Sequence, residues 1–380
     1  MLNISAWSQT TVNPDISLIG RFETFTNNVK DSPEYGKLNF GTPGFELLVE
    51  GYLNPYARAR ATLAYEEEFD PEELYAEVLR GLPLNLQIKA GKYLVGFGKL
   101  NTFHPHTWPF IARPLSHQIF FGQEGFNDIG LDLSYMLPIE EMYSSITLGI
   151  YRGEAIANTL VSDEIQLTET RGNVPIWIGR WSNFVSLSDY KSLEVGLSAS
   201  SGVYARRPVN ESGDSTLAGE NKPLNYLYTG LDIKYKFVPD IYTAFTIQAE
   251  GLINYRDVPR SGDPGIHMPK EMVTSITTVG LFISTDYTFN RQFSIGAKYD
   301  YTYGIIGDTP SFTTLANDDQ NTTQGLYAWI GYYPVEESLV LRLELEHLMF
   351  DYENGISRRP ETTATLQLIF SLGPHKAHPF

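Results

Sequence analysis

The stretch "SLVLRLELEHL", residues 338–348, alternates without a break from Leu341 to Glu346. Leu339, Leu341, Leu343 and Leu345 share one face, and Arg342, Glu344 and Glu346 share the other. A period of two is the mark of a strand with unlike faces, since successive side chains point to opposite sides of the pleat. The same pattern recurs in "YTAFTIQAEGLI" (242–253), "YARARATLAY" (56–65) and "QFSIGAKYDYTY" (292–303). Helical periodicity is nearly absent.

Sixteen such segments can be marked: 15–27, 44–53, 56–66, 72–80, 85–95, 128–137, 143–152, 174–187, 190–202, 225–238, 241–256, 272–289, 292–304, 322–333, 338–350 and 361–373. The links that join them sort by parity. After even-numbered segments they are short, such as "NP", "PIEEM", "PD" and "NR"; after odd-numbered ones they are mostly long and polar, such as "GEAIANTLVSDEIQLTETRGN" (153–173). A soluble sandwich has no reason to sort its loops in this way. Transmembrane barrels do, with short periplasmic turns at one rim and longer extracellular loops at the other. The expected fold is therefore all-β: one 16-stranded antiparallel transmembrane β-barrel over residues 1–380. Residues 1–14 are expected as an N-terminal periplasmic segment, 96–127 as the third extracellular loop and 373–380 as a C-terminal tail.

Composition agrees and narrows the function classes. The 380 residues hold no cysteine, which excludes disulfides and thiolate-bound metals. Forty-five Asp and Glu against 28 Lys and Arg leave a formal charge of −17, a poor footprint for nucleic acid. No run approaches the roughly 18 apolar residues of a transmembrane helix. The start, "MLNISAWSQTTVNPDIS", has neither the basic nor the apolar region of a signal peptide, as expected of a mature chain. Aromatics cluster at segment ends (Tyr226, Tyr228, Tyr235, Phe237, Tyr299, Tyr301, Tyr303, Tyr327, Trp329, Tyr332 and Tyr333), as two interfacial girdles would require.

With the apolar faces toward lipid, the polar faces line the interior. That face carries Glu46, Glu50, Asp132, Glu194, Asp232, Glu250, Asp300, Glu344 and Glu346 with Arg58, Arg60, Lys89, Lys234, Lys236, Lys298 and Arg342. The pore-lining set is read as Arg58, Arg60, Lys89, Asp232, Lys234, Glu250, Lys298, Asp300, Arg342 and Glu344. Acids and bases are near balance, which predicts weak ion selectivity; acid-rich loops at the mouth tilt it toward cations. Arg58 and Arg60 lie close together and could supply half of an electrostatic constriction facing acids across the pore; the stronger reading of each is a solvated wall residue.

Residues 96–127, "GFGKLNTFHPHTWPFIARPLSHQIFFGQEGFN", stand apart by their aromatics and low charge. Such a segment is expected to fold inside the barrel rather than stand in water. His104, His106, Trp108, Phe110 and His117 are its candidate constriction residues, and protonation of His104 and His106 near pH 6 is expected to alter conductance. A metal at His104, His106 and His117 is the competing reading. We read these histidines as hydrogen-bonding the wall and assign no metal and no cofactor. His375 and His378 form a separate pair in the tail.

The stretch "GKYLVGFGKLNTFHPHTWPFIARPL…FFGQEGFNDIGLDLSYMLP" (91–138) and the ending "FSLGPHKAHPF" (370–380) resemble a porin-like family of bacterial outer-membrane proteins, distantly similar to phosphate-selective and general porins. Some members are labelled zinc-regulated outer-membrane receptors. The resemblance implies an outer-membrane location and a third loop that narrows the pore. It implies a channel for passive diffusion of small hydrophilic solutes or ions, among lipid and lipopolysaccharide, as a homotrimer or with a periplasmic or lipoprotein partner. The alternative is a scaffold or receptor barrel that sheathes a protein such as a cytochrome, or takes up a metal. No Ser/His/Asn spacing supports an enzyme.

Overall fold

The structure, a computed structural model, describes residues 14–30, 32–66, 68–160, 174–208, 221–259, 273–304, 321–335, 338–352 and 359–373. The strands are β1 (Asp15–Asn27), β2 (Asn39–Phe40), β3 (Gly44–Asn54), β4 (Ala57–Tyr65), β5 (Phe69–Val78), β6 (Gln87–Leu94), β7 (Asn127–Leu137), β8 (Tyr143–Tyr151) and β9 (Ile176–Ser188). They continue as β10 (Lys191–Pro208), β11 (Asn221–Phe237), β12 (Ala244–Pro259), β13 (Val273–Phe289), β14 (Phe293–Gly304), β15 (Asn321–Val335), β16 (Leu339–Tyr352) and β17 (Glu361–Leu372). Apart from the two-residue β2, these are the sixteen strands read from the alternation. Each pairs antiparallel with its sequence neighbours, and β1 closes the ring by pairing with both β3 and β17. Closure leaves no unpaired strand edge, the condition for a sheet to stand in lipid.

The faces fall as the alternation requires. On β16, Leu343 and Leu345 are half exposed outward, while Arg342 and Glu344 are each only 3% exposed. A soluble protein would show the reverse, so the outer apolar band is a lipid-facing surface. No helix among the described residues is long and apolar enough to cross a membrane. The tight turns follow local chemistry. Asn290 and Arg291 both take positive φ (52° and 57°), which is the backbone of a two-residue hairpin turn whose twist matches its strands.

The aromatic girdles are only half as expected. Toward the short-turn rim, Tyr287, Phe289, Phe293 and Tyr332 form a stacked row with ring centroids 5.9, 5.6 and 5.1 Å apart. At the long-loop end of β14, Tyr299, Tyr301 and Tyr303 alternate with the buried Lys298, Asp300 and Thr302 and face outward, but Tyr226, Tyr228, Tyr327 and Trp329 point inward and are buried. These four are buried because the interior is filled there by chain rather than water. The filling consists of residues 95–126, carrying the helix α1 (Leu115–Phe121), and of α2 (Glu154–Leu160). One interior cluster joins Phe97, Phe120, Phe121 and Phe126 to Tyr93, Tyr151 and Tyr228; a second joins Leu100, Trp108 and Phe110 to Phe282 and Trp329. α2 begins the link read as a plain polar loop, and its Ile156 and Leu160 are buried against the first cluster. The remainder of that link, 161–173, and the tail with His375 and His378 lie outside the described residues.

Gly91 on β6 meets a close approach of backbones. It has φ +137°, and a Cβ there would sit 2.1 Å from the Leu74 carbonyl oxygen and 2.7 Å from Tyr75 Cα. Gly251, by contrast, has nothing within 4 Å of the same position. We expect Gly91→Val to cost roughly 1–3 kcal/mol through strain and overpacking, and Gly251→Ala to be close to neutral. Urea unfolding in detergent micelles, followed by heat-modifiable electrophoretic migration, checks both.

Candidate functional site

The interior segment is anchored at its neck and along its length. The Asn101 side chain donates to the carbonyls of Val95 (2.8 Å) and Phe126 (3.0 Å) and accepts from the Phe126 N–H (2.8 Å), so it clips the two ends together. Glu250 accepts from the backbone N–H of Lys99 (3.1 Å) and Leu100 (2.6 Å) and contacts His117 Nε2 at 3.0 Å. Glu344 accepts from the N–H groups of Ile111 (2.7 Å) and Ala112 (2.8 Å). Asp300 accepts from the Leu115 N–H (3.1 Å), and Lys298 donates to the Ala112 carbonyl (2.6 Å) while lying over the Tyr327 and Phe110 rings. Trp108 and Phe110 pack on Phe282 and Trp329 of the wall.

Several residues read as pore-lining are therefore shielded by the loop. Glu250, Lys298, Asp300 and Glu344 are all at most 3% exposed and hold chain, not solute. Asp232 takes a two-pronged bond from Arg180 (2.7 and 3.0 Å), and Arg342 donates to Gln367 (2.9 Å). Lys89 stands between the Tyr75 and Tyr93 rings, and Lys234 borders a small recess beside Trp108. Arg58 and Arg60 do not face acids across the pore. Each pairs with the adjacent strand, Arg58 with Glu77 and Arg60 with Glu73 (3.2 Å).

The open space lies on the other side of the loop. A cavity of about 580 Å³ is lined by Glu23, Glu46, Glu66, Glu68, Asp70, Glu72 and Glu124 against two arginines, Arg21 and Arg113. A second, of about 220 Å³, is lined by Arg60, Lys89 and Arg180 with Glu73, Glu77 and Asp132. His104 lines both, so it stands in the partition between them. The expected near-balance of charge does not hold for the larger cavity. Burial there, with Glu72 as a like-charged neighbour, raises the Glu124 carboxyl above its usual range.

At the partition, the Nδ1 atoms of His104 and His106 converge on one oxygen, Oε2 of Glu46, at 3.4 and 3.2 Å. Glu72 Oε2 lies 3.4 Å from the same His104 nitrogen, and Glu73 Oε2 lies 3.0 Å from its Nε2. Glu72 and Glu73 are consecutive, yet both reach His104. The β4–β5 register slips between Thr62, opposite Glu73, and Leu63, opposite Pro71, and this bulge turns Glu72 inward beside its neighbour. Burial alone would lower the pKa of His104, but the carboxylates of Glu46, Glu72 and Glu73 raise it to about 10. The expected titration of His104 near pH 6 is therefore corrected: its imidazolium persists through that range. His117 does not join the cluster. It is fully buried against Glu250 on β12, across the barrel from β3.

No family model matches the chain. An uncharacterized protein of Aquifex aeolicus (strain VF5) is 27% identical over 410 residues, covering 99% of this chain and 82% of its own length. Similar solved structures include the outer membrane channel DcaP of Acinetobacter baumannii, at 12% identity and TM-score 0.55, covering 96% of this chain and 99% of that one. The anion-selective porin from Comamonas acidovorans gives 10%, 0.55, 95% and 100%, and the trimer form of OmpT from Vibrio cholerae gives 8%, 0.53, 95% and 100%. This chain has the barrel fold of those outer-membrane channels. At such identities the likeness is one of fold, and what the interior does must come from its own residues.

In this barrel the carboxylates that hold the inner loop are its structural fasteners. A hydrogen bond to a charged acceptor contributes roughly 1.5–3 kcal/mol, and a buried N–H left without its partner costs a further 1–3. We expect Glu344→Ala to raise amide hydrogen exchange at residues 110–113 by at least about tenfold, while the strands stay protected. Glu250→Ala should loosen residues 98–101 and the His117 turn in the same way. Exchange mass spectrometry of the folded protein reads both.

Proposed function

We propose that the protein is an outer-membrane channel for passive diffusion of small hydrophilic solutes, with residues 96–127 as its constriction and a preference for cations. The observation that carries this reading is His104, which lines a cavity on either side of the loop. A path through the barrel has to pass that partition. The lipid-facing band supports the outer-membrane location, because strands that satisfy their bonds only on closure cannot be inserted singly. Lipid and lipopolysaccharide would then surround the barrel, and small solutes would occupy its interior.

The charge preference follows from the larger cavity. Seven carboxylates against two arginines concentrate cations at the approach to the constriction. One fold neighbour is titled anion-selective, but selectivity belongs to lining residues and not to the barrel.

The test is a planar bilayer recording with the purified protein. Stepwise openings and a reversal potential favouring cations under a salt gradient are expected. Replacing residues 101–118 by a short Gly-Ser link should raise unit conductance by roughly twofold or more, since the partition is removed. Closed bilayers, strong anion selectivity, or unchanged conductance in the loop variant would overturn the reading.

A further inference from the structure

We propose that Glu46, His104 and His106, with Glu72 beside them, bind one divalent transition-metal ion of the zinc class. The site stands on its own geometry and does not depend on the channel reading. Glu46, His104 and His106 present ligand atoms that all lie within 4.8 Å of one another. The separations are more telling than the grouping. Nδ1 of His106 and Nδ1 of His104 are 3.2 and 3.4 Å from Glu46 Oε2, and Glu72 Oε2 is 3.4 Å from Nδ1 of His104. Ligands about 2.0–2.1 Å from a tetrahedral zinc stand about 3.3–3.4 Å apart. The two separations to Glu46 Oε2 match edges of that tetrahedron, and Glu72, beside His104 but outside the close group of three, is the nearest further donor.

The donor count also favours a cation. Nδ1 of His104 can carry a single proton, yet it faces carboxylate oxygens of both Glu46 and Glu72 at 3.4 Å. Glu72 Oε2 is buried, and its only close donor among these groups is that same His104 Nδ1, at 3.4 Å, too poorly directed for a good hydrogen bond. An ion at the centre of the cluster satisfies both carboxylates at once, and its binding displaces the ring protons at Nδ1. Two imidazoles with carboxylates select zinc, cobalt or nickel over magnesium or calcium, which take oxygen ligands.

A supporting shell is in place. The other nitrogen of His104, Nε2, lies 3.0 Å from Glu73 Oε2, which in turn meets Thr62 Oγ1 and Arg60 Nε, each at 3.2 Å. A ligating histidine that gives its far N–H to a held carboxylate is the usual orienting device of zinc sites. Pro105 and the short turn Pro105–Thr107 set the spacing of the two rings, which stack at 5.7 Å and 22°. The ion would fasten the loop, through His104 and His106, to β3 and β5.

Isothermal titration of the folded, chelator-stripped full chain in detergent with zinc chloride tests this. One zinc per chain at micromolar or tighter affinity is expected, with no matching event for magnesium chloride. His106→Asn and Glu46→Gln should each weaken zinc at least 100-fold and Glu73→Gln 10- to 100-fold, while Glu124→Gln, on the cavity wall outside the set, should change it less than threefold. Cobalt(II) offers a second readout: wild type should show the intense absorption of tetrahedral cobalt, lost in His106→Asn. If a variant loses its heat-modifiable fold, the wild-type cobalt spectrum decides alone. Absence of one-to-one zinc binding, affinity unchanged in a folded His106→Asn, or a weak octahedral cobalt spectrum overturns the proposal.

Discussion

In lipid, no backbone N–H or C=O can be left without a partner, and every other feature of this molecule follows from that constraint. It obliges β1 to find β17 as well as β3, and so converts sixteen marginal strands into one closed unit. Closure at this strand number leaves an interior too wide for wall side chains to fill. The interior must be either wet or packed with additional chain. This barrel does both, on different sides.

The packed side is held by charge rather than by apolar contact alone. Burying an ionised carboxylate costs several kcal/mol unless donors replace its water. The loop supplies those donors as backbone N–H groups, from Lys99 and Leu100 to Glu250 and from Ile111 and Ala112 to Glu344. The relation is reciprocal: a loop with few regular hydrogen bonds of its own needs acceptors, and the wall carboxylates need donors. Aromatic packing of Trp108 and Phe110 on Trp329 and Phe282 then excludes water from the joints. On the opposite side, carboxylates of β3 and β5 are left facing a cavity, and the loop meets them with imidazoles instead of amides.

Much of this was legible in the sequence, and the exceptions share a cause. Period-two alternation is local, so the strands, their faces and the inward fate of residues 96–127 could be read one segment at a time. Partners across the barrel cannot be read that way. Tyr228 shares the face of Asp232, and Trp329 alternates with the outward Ile330, so their inward direction is local; but nothing near them names the loop residues they pack on, and nothing near His117 says that Glu250, 133 positions on, will claim it. Arg58 and Arg60 were placed on the correct face, but the adjacent strand reaches them before any residue across the pore can. The inward turn of Glu72 did leave a trace. Pro71 lies inside β5, and proline within a strand marks an edge or a bulge. Read as a bulge, "PEE" puts two consecutive carboxylates on one side, which strict alternation forbids.

The histidine cluster owes its shape to bonds that lie outside it. Asn101 clips the neck of the loop, Glu250 and Glu344 fix it further along, and Pro105 sets the offset between the two rings. His104 and His106 are therefore delivered to Glu46, Glu72 and Glu73 by the rest of the loop, and need not be drawn there by their own attraction. The repulsion within this group of carboxylates is offset by such external bonds together with the imidazolium they surround. Preorganisation of this kind reduces the entropy lost when a cation binds. It also means that the partition between the two cavities is a rigid element whose charge, not its position, responds to what occupies it.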